Sequence, residues 1–148
     1  MRIIAVDPGT HCGWATWDGT HLESGVQVFD LKRGESPGMR FLRFREWLGG
    51  LVGLIRPAVL VFEQAHHRGG YATEVLVGMT TRIQEAAAEA GCEHVAVHTA
   101  TLKKWATGKG GASKAEMIAA ACDRYGEWVT DDNEADSLLL LAYAWEQE

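Results

Sequence analysis

The stretch that decides the fold is Arg2-Ile3-Ile4-Ala5-Val6-Asp7-Pro8-Gly9-Thr10. Its apolar residues run without interruption, the composition of a strand covered on both faces. The Pro-Gly pair then ends the run in a turn and leaves one carboxylate, Asp7, at the strand's C-terminal tip. Two further strand-like runs follow at residues 12–17 and 26–31. Asp18-Gly19 lies between them, which predicts a hairpin meander.

Beyond the meander the apolar period changes from two to about 3.6. Phe41, Phe44, Leu48, Leu51, Val52 and Ile55 fall at three- and four-residue steps, predicting a helix over 37–55 that Pro57 stops. Residues 58–62, Ala-Val-Leu-Val-Phe, read as a second buried strand running straight into Glu63. A helix over 73–90 closes on Gly91, and a short strand covers 94–98. A short helix is expected at 101–106, followed by a Gly-rich loop at 107–112. Ser113 caps a helix to residue 125, and Asp131 or Asp132 caps a last one to about residue 145. Three meandering strands followed by strand–helix alternation predict an α/β, ribonuclease-H-like layout: a mixed five-stranded sheet flanked by helices.

The 148 residues are about one domain's worth, so residues 1–148 are expected to form a single domain. With 47% hydrophobic residues the chain can bury an ordinary core, and no apolar run reaches the length of a membrane span. An acid at position 7 and the lack of a long apolar opening predict no signal peptide. Cys12, Cys92 and Cys122 match no metal or disulfide framework. They read as reduced thiols of a cytoplasmic protein.

Fourteen basic and twenty acidic residues give a net charge of −6, which by itself disfavours nucleic acid as a partner. The charges are segregated, however. Residues 31–45 hold Lys32, Arg33, Arg40, Arg43 and Arg45 against Glu35 alone. Residues 101–114 hold Lys103, Lys104, Lys109 and Lys114 with no acid, whereas 123–148 carry eight acids against Arg124. Such a map is compatible with an anionic partner on one face and equally with solvated helix faces.

Three acids stand out by placement. Asp7 and Glu63 each follow a buried run, so parallel neighbouring strands would bring both to the same sheet edge, where α/β proteins bind ligands. Asp136 lies on the last helix, sharing a face with Asp132 and Asn133 while Glu134 points elsewhere. Carboxylates clustered without a basic partner repel one another and are tolerable around a divalent cation. All-oxygen donors suit Mg²⁺ or Mn²⁺. Two such ions about 4 Å apart would clamp a phosphodiester, with no nucleophilic Ser or Cys needed.

These residues resemble the RuvC-type Holliday junction resolvases over nearly the whole chain. Ile3 to Thr10 with Gly13-Trp14-Ala15 is similar to the family's opening strand and turn. Val61-Phe62-Glu63-Gln64 resembles its second acidic motif, and Leu102-Lys103-Lys104 with the segment 107–114 resembles its two-lysine segment. Asn133-Glu134-Ala135-Asp136-Ser137-Leu138 is similar to its C-terminal acidic motif. The resemblance implies a homodimeric, Mg²⁺-dependent endonuclease that nicks two opposed strands of a four-way junction, with two ions in each active site. It implies Asp7, Glu63 and Asp136 as metal ligands, and Lys103 and Lys114 as active-site or phosphate-contacting cations.

The sequence departs from the family at two places. Most members carry Asp or His where Asn133 stands, so Asp132 becomes the alternative ligand; this pattern is closer to phage-encoded relatives. The aromatic expected three residues after the Glu is replaced by His66, followed by His67, Arg68, Gly69, Gly70 and Tyr71. His66, His67, Arg68 and Tyr71 can all stack on or contact DNA. Zinc on His66 and His67 is a weak alternative. Two rival functions share these features: an RNase-H-like nuclease for RNA or RNA–DNA hybrid, and a junction-binding module that has lost cleavage through Asn133. An actin-like ATPase is excluded by length. Val75, Leu76, Met79 and Ile83 form a stripe that is either core or dimer interface.

Overall fold

A computed structural model describes residues 1–64 and 69–147. Five strands, β1 (Ile3–Asp7), β2 (His11–Trp17), β3 (Leu22–Val28), β4 (Val59–Gln64) and β5 (Glu93–His98), form one sheet in the order β3-β2-β1-β4-β5. The first three pair antiparallel, while β4 joins β1 and β5 joins β4 in parallel. The helices are α1 (Gly38–Ile55), α2 (Gly70–Ala90), α3 (Thr99–Thr107), α4 (Lys114–Tyr125) and α5 (Asp132–Gln147). The mixed five-stranded sheet flanked by helices is the layout that the order of strands and helices in the sequence predicts.

β1 is central because its side chains are apolar in both directions. Ile3 and Ala5 enter a core with Met117, Leu138 and Leu139, whereas Ile4 and Val6 enter a second with Phe44, Leu48, Met79 and Ile83. All four β1 side chains are fully buried. The first core lies beneath α3, α4 and α5, and the second beneath α1 and α2. Val75, Met79 and Ile83 are therefore core residues, which removes them as a dimer interface; Leu76 alone of that stripe is partly exposed. α1 and α2 cross closely, since a Cβ on Gly78 would overlap the Phe41 ring.

Where element bounds differ from expectation, the cause is local. β3 spans 22–28, not 26–31, and pairs with β2 from Leu22 onward. It is an edge strand with one open face, so Glu23, Ser24 and Gly25 hide its period. α2 starts at Gly70, not residue 73: Gly69 and Gly70, at φ 78° and 74°, form the helix entry and read as a break. α1 ends on Arg56, which takes the left-handed conformation at φ 51° and donates its N–H to Val52 O before Pro57. Gly91 ends α2 the same way, and Ser113 with Glu116 forms a reciprocal capping box on α4. No helix among the described residues is long and apolar enough to cross a membrane.

Candidate active site at the carboxyl edge of the sheet

The parallel register of β1 and β4, with Val6 opposite Phe62, carries Asp7 and Glu63 out of the sheet side by side. α5 packs across β1 and β2 and delivers Asp136 to the same edge. Asp7, Glu63 and Asp136 each place a carboxylate oxygen within 4.8 Å of the other two. Glu63 is only 9% exposed, and the other two are half-buried.

This crowding has an electrostatic consequence. The Asp7 carboxyl is pushed well above the usual range, first by burial and then by the charges of Glu63 and Asp136. Asp136 is pushed up to about 7, again by burial first and then by Glu63 and Asp132. Lys103 and Lys114 pull it partly back. A raised carboxyl keeps its proton in the folded protein where the unfolded chain has lost it. The folded state therefore binds more protons between about pH 4 and pH 7, and stability falls as pH rises through that window. We expect urea denaturation in EDTA to show a loss on the order of 2–4 kcal/mol from this group between pH 4 and pH 8. Most of the loss should vanish in Asp136→Asn, and a divalent cation should restore stability at pH 8. A metal-free protein whose pH dependence is the same with and without Asp136 would contradict the crowding.

One cap starts α5 and two contacts hold it against the sheet. Asp131, not Asp132, caps the helix: its Oδ1 accepts from the backbone N–H of Asn133 at 2.8 Å and of Glu134 at 3.0 Å. Glu134, turned away from the trio, accepts from Ser24 Oγ at 2.7 Å and so ties α5 to β3. Gly13, directly opposite Asp7 on β2, lets the helix come closest, because a Cβ there would overlap the Asn133 carbonyl. The sequence reading named Gly13 only within the opening motif, without this role, and missed Ser24. Gly13 carried a signal, an interior strand glycine marking close backbone approach; Ser24 carried none.

The remaining predicted residues divide. Lys103 and Lys114 come close enough to Asp136 to lower its pKa, and Lys114 Nζ lies 3.6 Å from Asp132 Oδ2. Asp132 stands beside the trio without belonging to it, near enough for its charge to raise both Asp7 and Asp136. Lys104 is exposed on α3, and Lys109 pairs with Glu116 at 3.0 Å on the surface. Tyr71, 55% exposed, accepts at its hydroxyl from Arg40 Nη1 at 2.7 Å. His66, His67 and Arg68, including the zinc alternative, lie outside the described residues. Trp105 packs edge-on against Tyr143 and under the Arg124 guanidinium, which places it in the fold rather than in the site.

The trio offers only carboxylate oxygens, two of them on groups whose ionisation burial and mutual repulsion oppose. That donor set fits a hard divalent cation. No protein-family model matches the chain, and no curated protein matches it by sequence. Solved structures do. Thermus thermophilus RuvC in complex with a Holliday junction substrate superposes with a TM-score of 0.81 at 22% identity, covering 99% of this chain and 94% of that one. The chain has the RuvC fold. A second Thermus thermophilus RuvC structure gives 0.77 at 21% identity, covering 99% and 97%. The yeast mitochondrial Holliday junction resolvase Ydc2 gives 0.58 at 14%, covering 94% of this chain and 76% of that one. The RuvC match spans every element from β1 to α5, so all the strands and helices that carry the trio belong to the shared fold.

Proposed function

We propose that this chain is a metal-dependent endonuclease that resolves Holliday junctions or other branched DNA by paired phosphodiester hydrolysis. The observation that carries the reading is the Asp7–Glu63–Asp136 trio at one sheet edge of a fold shared with a RuvC bound to junction DNA. The whole chain would form a single nuclease domain, acting in the cytoplasm as a homodimer. Two opposed nicks need two active sites related by a two-fold axis.

Asp7, Glu63 and Asp136 would hold two Mg²⁺ ions, with Mn²⁺ able to substitute. Asp132, an anion beside the trio, would complete the set in preference to the neutral Asn133. Bound ions supply Lewis-acid activation of water and stabilise the leaving 3′-oxygen. The chain's own residues do the rest. All three carboxylates would hold the ions, and Asp7 and Asp136, whose carboxyls are raised, would give up protons to do so. Lys114, beside Asp132, would offset charge that develops on the scissile phosphate. Lys103, Lys104 and Lys109 on and after α3, with Tyr71 and the segment His66-His67-Arg68, would contact DNA. Lys103→Ala should weaken binding across all sequences and flatten the dependence of log K on log salt by about 0.9 for each phosphate left unneutralised. An unchanged slope with impaired turnover would place Lys103 in the chemistry instead.

The test uses end-labelled four-way, three-way and flap DNA and an RNA–DNA hybrid, with Mg²⁺ or Mn²⁺ against EDTA. Symmetric paired nicks confined to the four-way junction support the reading. Equal cutting of hybrid would move it to an RNase-H-like nuclease, and binding without cutting to a recognition module.

A further inference from the structure

Arg40, in the first turn of α1, is only 7% exposed, and no Asp or Glu among the described residues lies within salt-bridge distance of it. Residues 65–68, Ala-His-His-Arg, include no acid either. The two hydrogen bonds of Arg40 go to neutral acceptors: Nε donates to Phe29 O at 2.8 Å, and Nη1 donates to the Tyr71 hydroxyl at 2.7 Å. Burying a charge without an opposite charge is costly unless a ligand supplies one. No buried side-chain nitrogen or oxygen among the described residues lacks a partner. Nη2 makes no hydrogen bond to any of the described residues, which leaves it as the part of the guanidinium open to a further acceptor. The Tyr71 hydroxyl, having accepted from Arg40, keeps its own proton to donate.

The place of this pair in the fold matters. Phe29 N–H donates to Thr10 O at 2.7 Å, so Arg40 is tied through Phe29 to the β1–β2 turn that follows Asp7. α2 begins at the same sheet edge, with Tyr71 as its second residue. Arg40 thus lies along the carboxyl edge, on the face opposite α5.

We propose that Arg40 and Tyr71 form a phosphate-binding site that takes one backbone phosphate of the DNA flanking the cut. This rests on the nuclease reading above. The guanidinium supplies the charge and one donor through Nη2, and the Tyr71 hydroxyl supplies a second donor. Held by Phe29 O, the guanidinium is pre-organised and loses little freedom on binding.

Junction binding measured across a salt series tests it, with parent, Arg40→Gln, Arg40→Lys, Tyr71→Phe and, as a control from the opposite sheet edge, Arg2→Gln. Arg40→Gln should reduce the salt slope by about 0.9 and weaken binding several-fold at moderate salt. Arg40→Lys should keep the slope, and Tyr71→Phe should lose affinity while keeping it. Arg2→Gln should change neither. A scan of single methylphosphonates near the cut tests the same contact with the parent protein. One position should cost the parent affinity and cost Arg40→Gln nothing more. A folded Arg40→Gln with the parent's slope, or no methylphosphonate position that distinguishes the two proteins, would overturn the phosphate role and leave the nuclease reading standing. A parent that binds no DNA would overturn both.

Discussion

Replacing Asp7 with Asn is expected to lower junction cutting by about 10³-fold or more while leaving junction affinity within a few-fold of the parent. Asp7 has two burdens that this change separates. It is one of three carboxylates whose oxygens lie within 4.8 Å of one another, so losing its charge would remove a ligand of the ions proposed to drive hydrolysis. Its carboxyl is also pushed well above the usual range by burial and by Glu63 and Asp136, so in the metal-free protein it is a source of instability. The variant should therefore lose activity and gain stability in EDTA at pH 8, the pairing expected of a site strained for function. The substitution leaves the lysines that would hold phosphates in place, which is why binding should survive. Cutting assays, binding titrations and urea melts on one preparation give all three readouts. Full activity in Asp7→Asn would sink the two-ion assignment, and abolished binding would point to a structural role for the residue.

Gly13→Ala should have the second-largest effect although Gly13 touches no substrate. The added methyl would overlap the Asn133 carbonyl, a backbone atom that cannot rotate away, so α5 must move off β2. Forcing extra volume into a packed contact costs about 1–3 kcal/mol. The cost to function is larger, because α5 carries Asp136 and Asp132, and a shift near 1 Å in a catalytic group can cost about 10²-fold. The expected signature is a protein that folds, binds junctions and needs a much higher Mn²⁺ concentration for half-maximal cutting. Excess Mn²⁺ should recover part of the rate. A variant with the parent's Mn²⁺ requirement would show that the close approach of α5 does not set the site.

The central strand and the two carboxylates at its edge were legible because each depends on local chemistry: an unbroken apolar run, a Pro-Gly turn, and an acid directly after a buried strand. Asp136 was legible through helical spacing. The edge strand β3 was not, because its open face admits Glu23 and Ser24, and a polar half-exposed strand has the composition of a loop. The cap of α5 could not be assigned between two adjacent aspartates until their oxygens were placed; Asp131 bonds the helix N–H groups and frees Asp132 to face Lys114. The apolar stripe of α2 was undecidable for a related reason. A core face and an interface share one spacing, and only packing against Phe44 and Leu48 assigns Val75, Met79 and Ile83 to the interior. Arg40 looked like one more member of a basic run, yet it is the buried one.

Calorimetric titration of Mn²⁺ into the protein at pH 7, repeated in two buffers of different ionisation enthalpy, tests the central claim most directly. Asp136, pushed up to about 7, keeps a share of its proton there in the metal-free protein, and Asp7 is raised as well. Saturable binding should accordingly release protons, and both the binding and the release should be abolished or sharply reduced in Asp7→Asn and Asp136→Asn. Binding that is unchanged in these variants, or that releases no proton, would contradict the assignment of the Asp7–Glu63–Asp136 cluster as the metal centre.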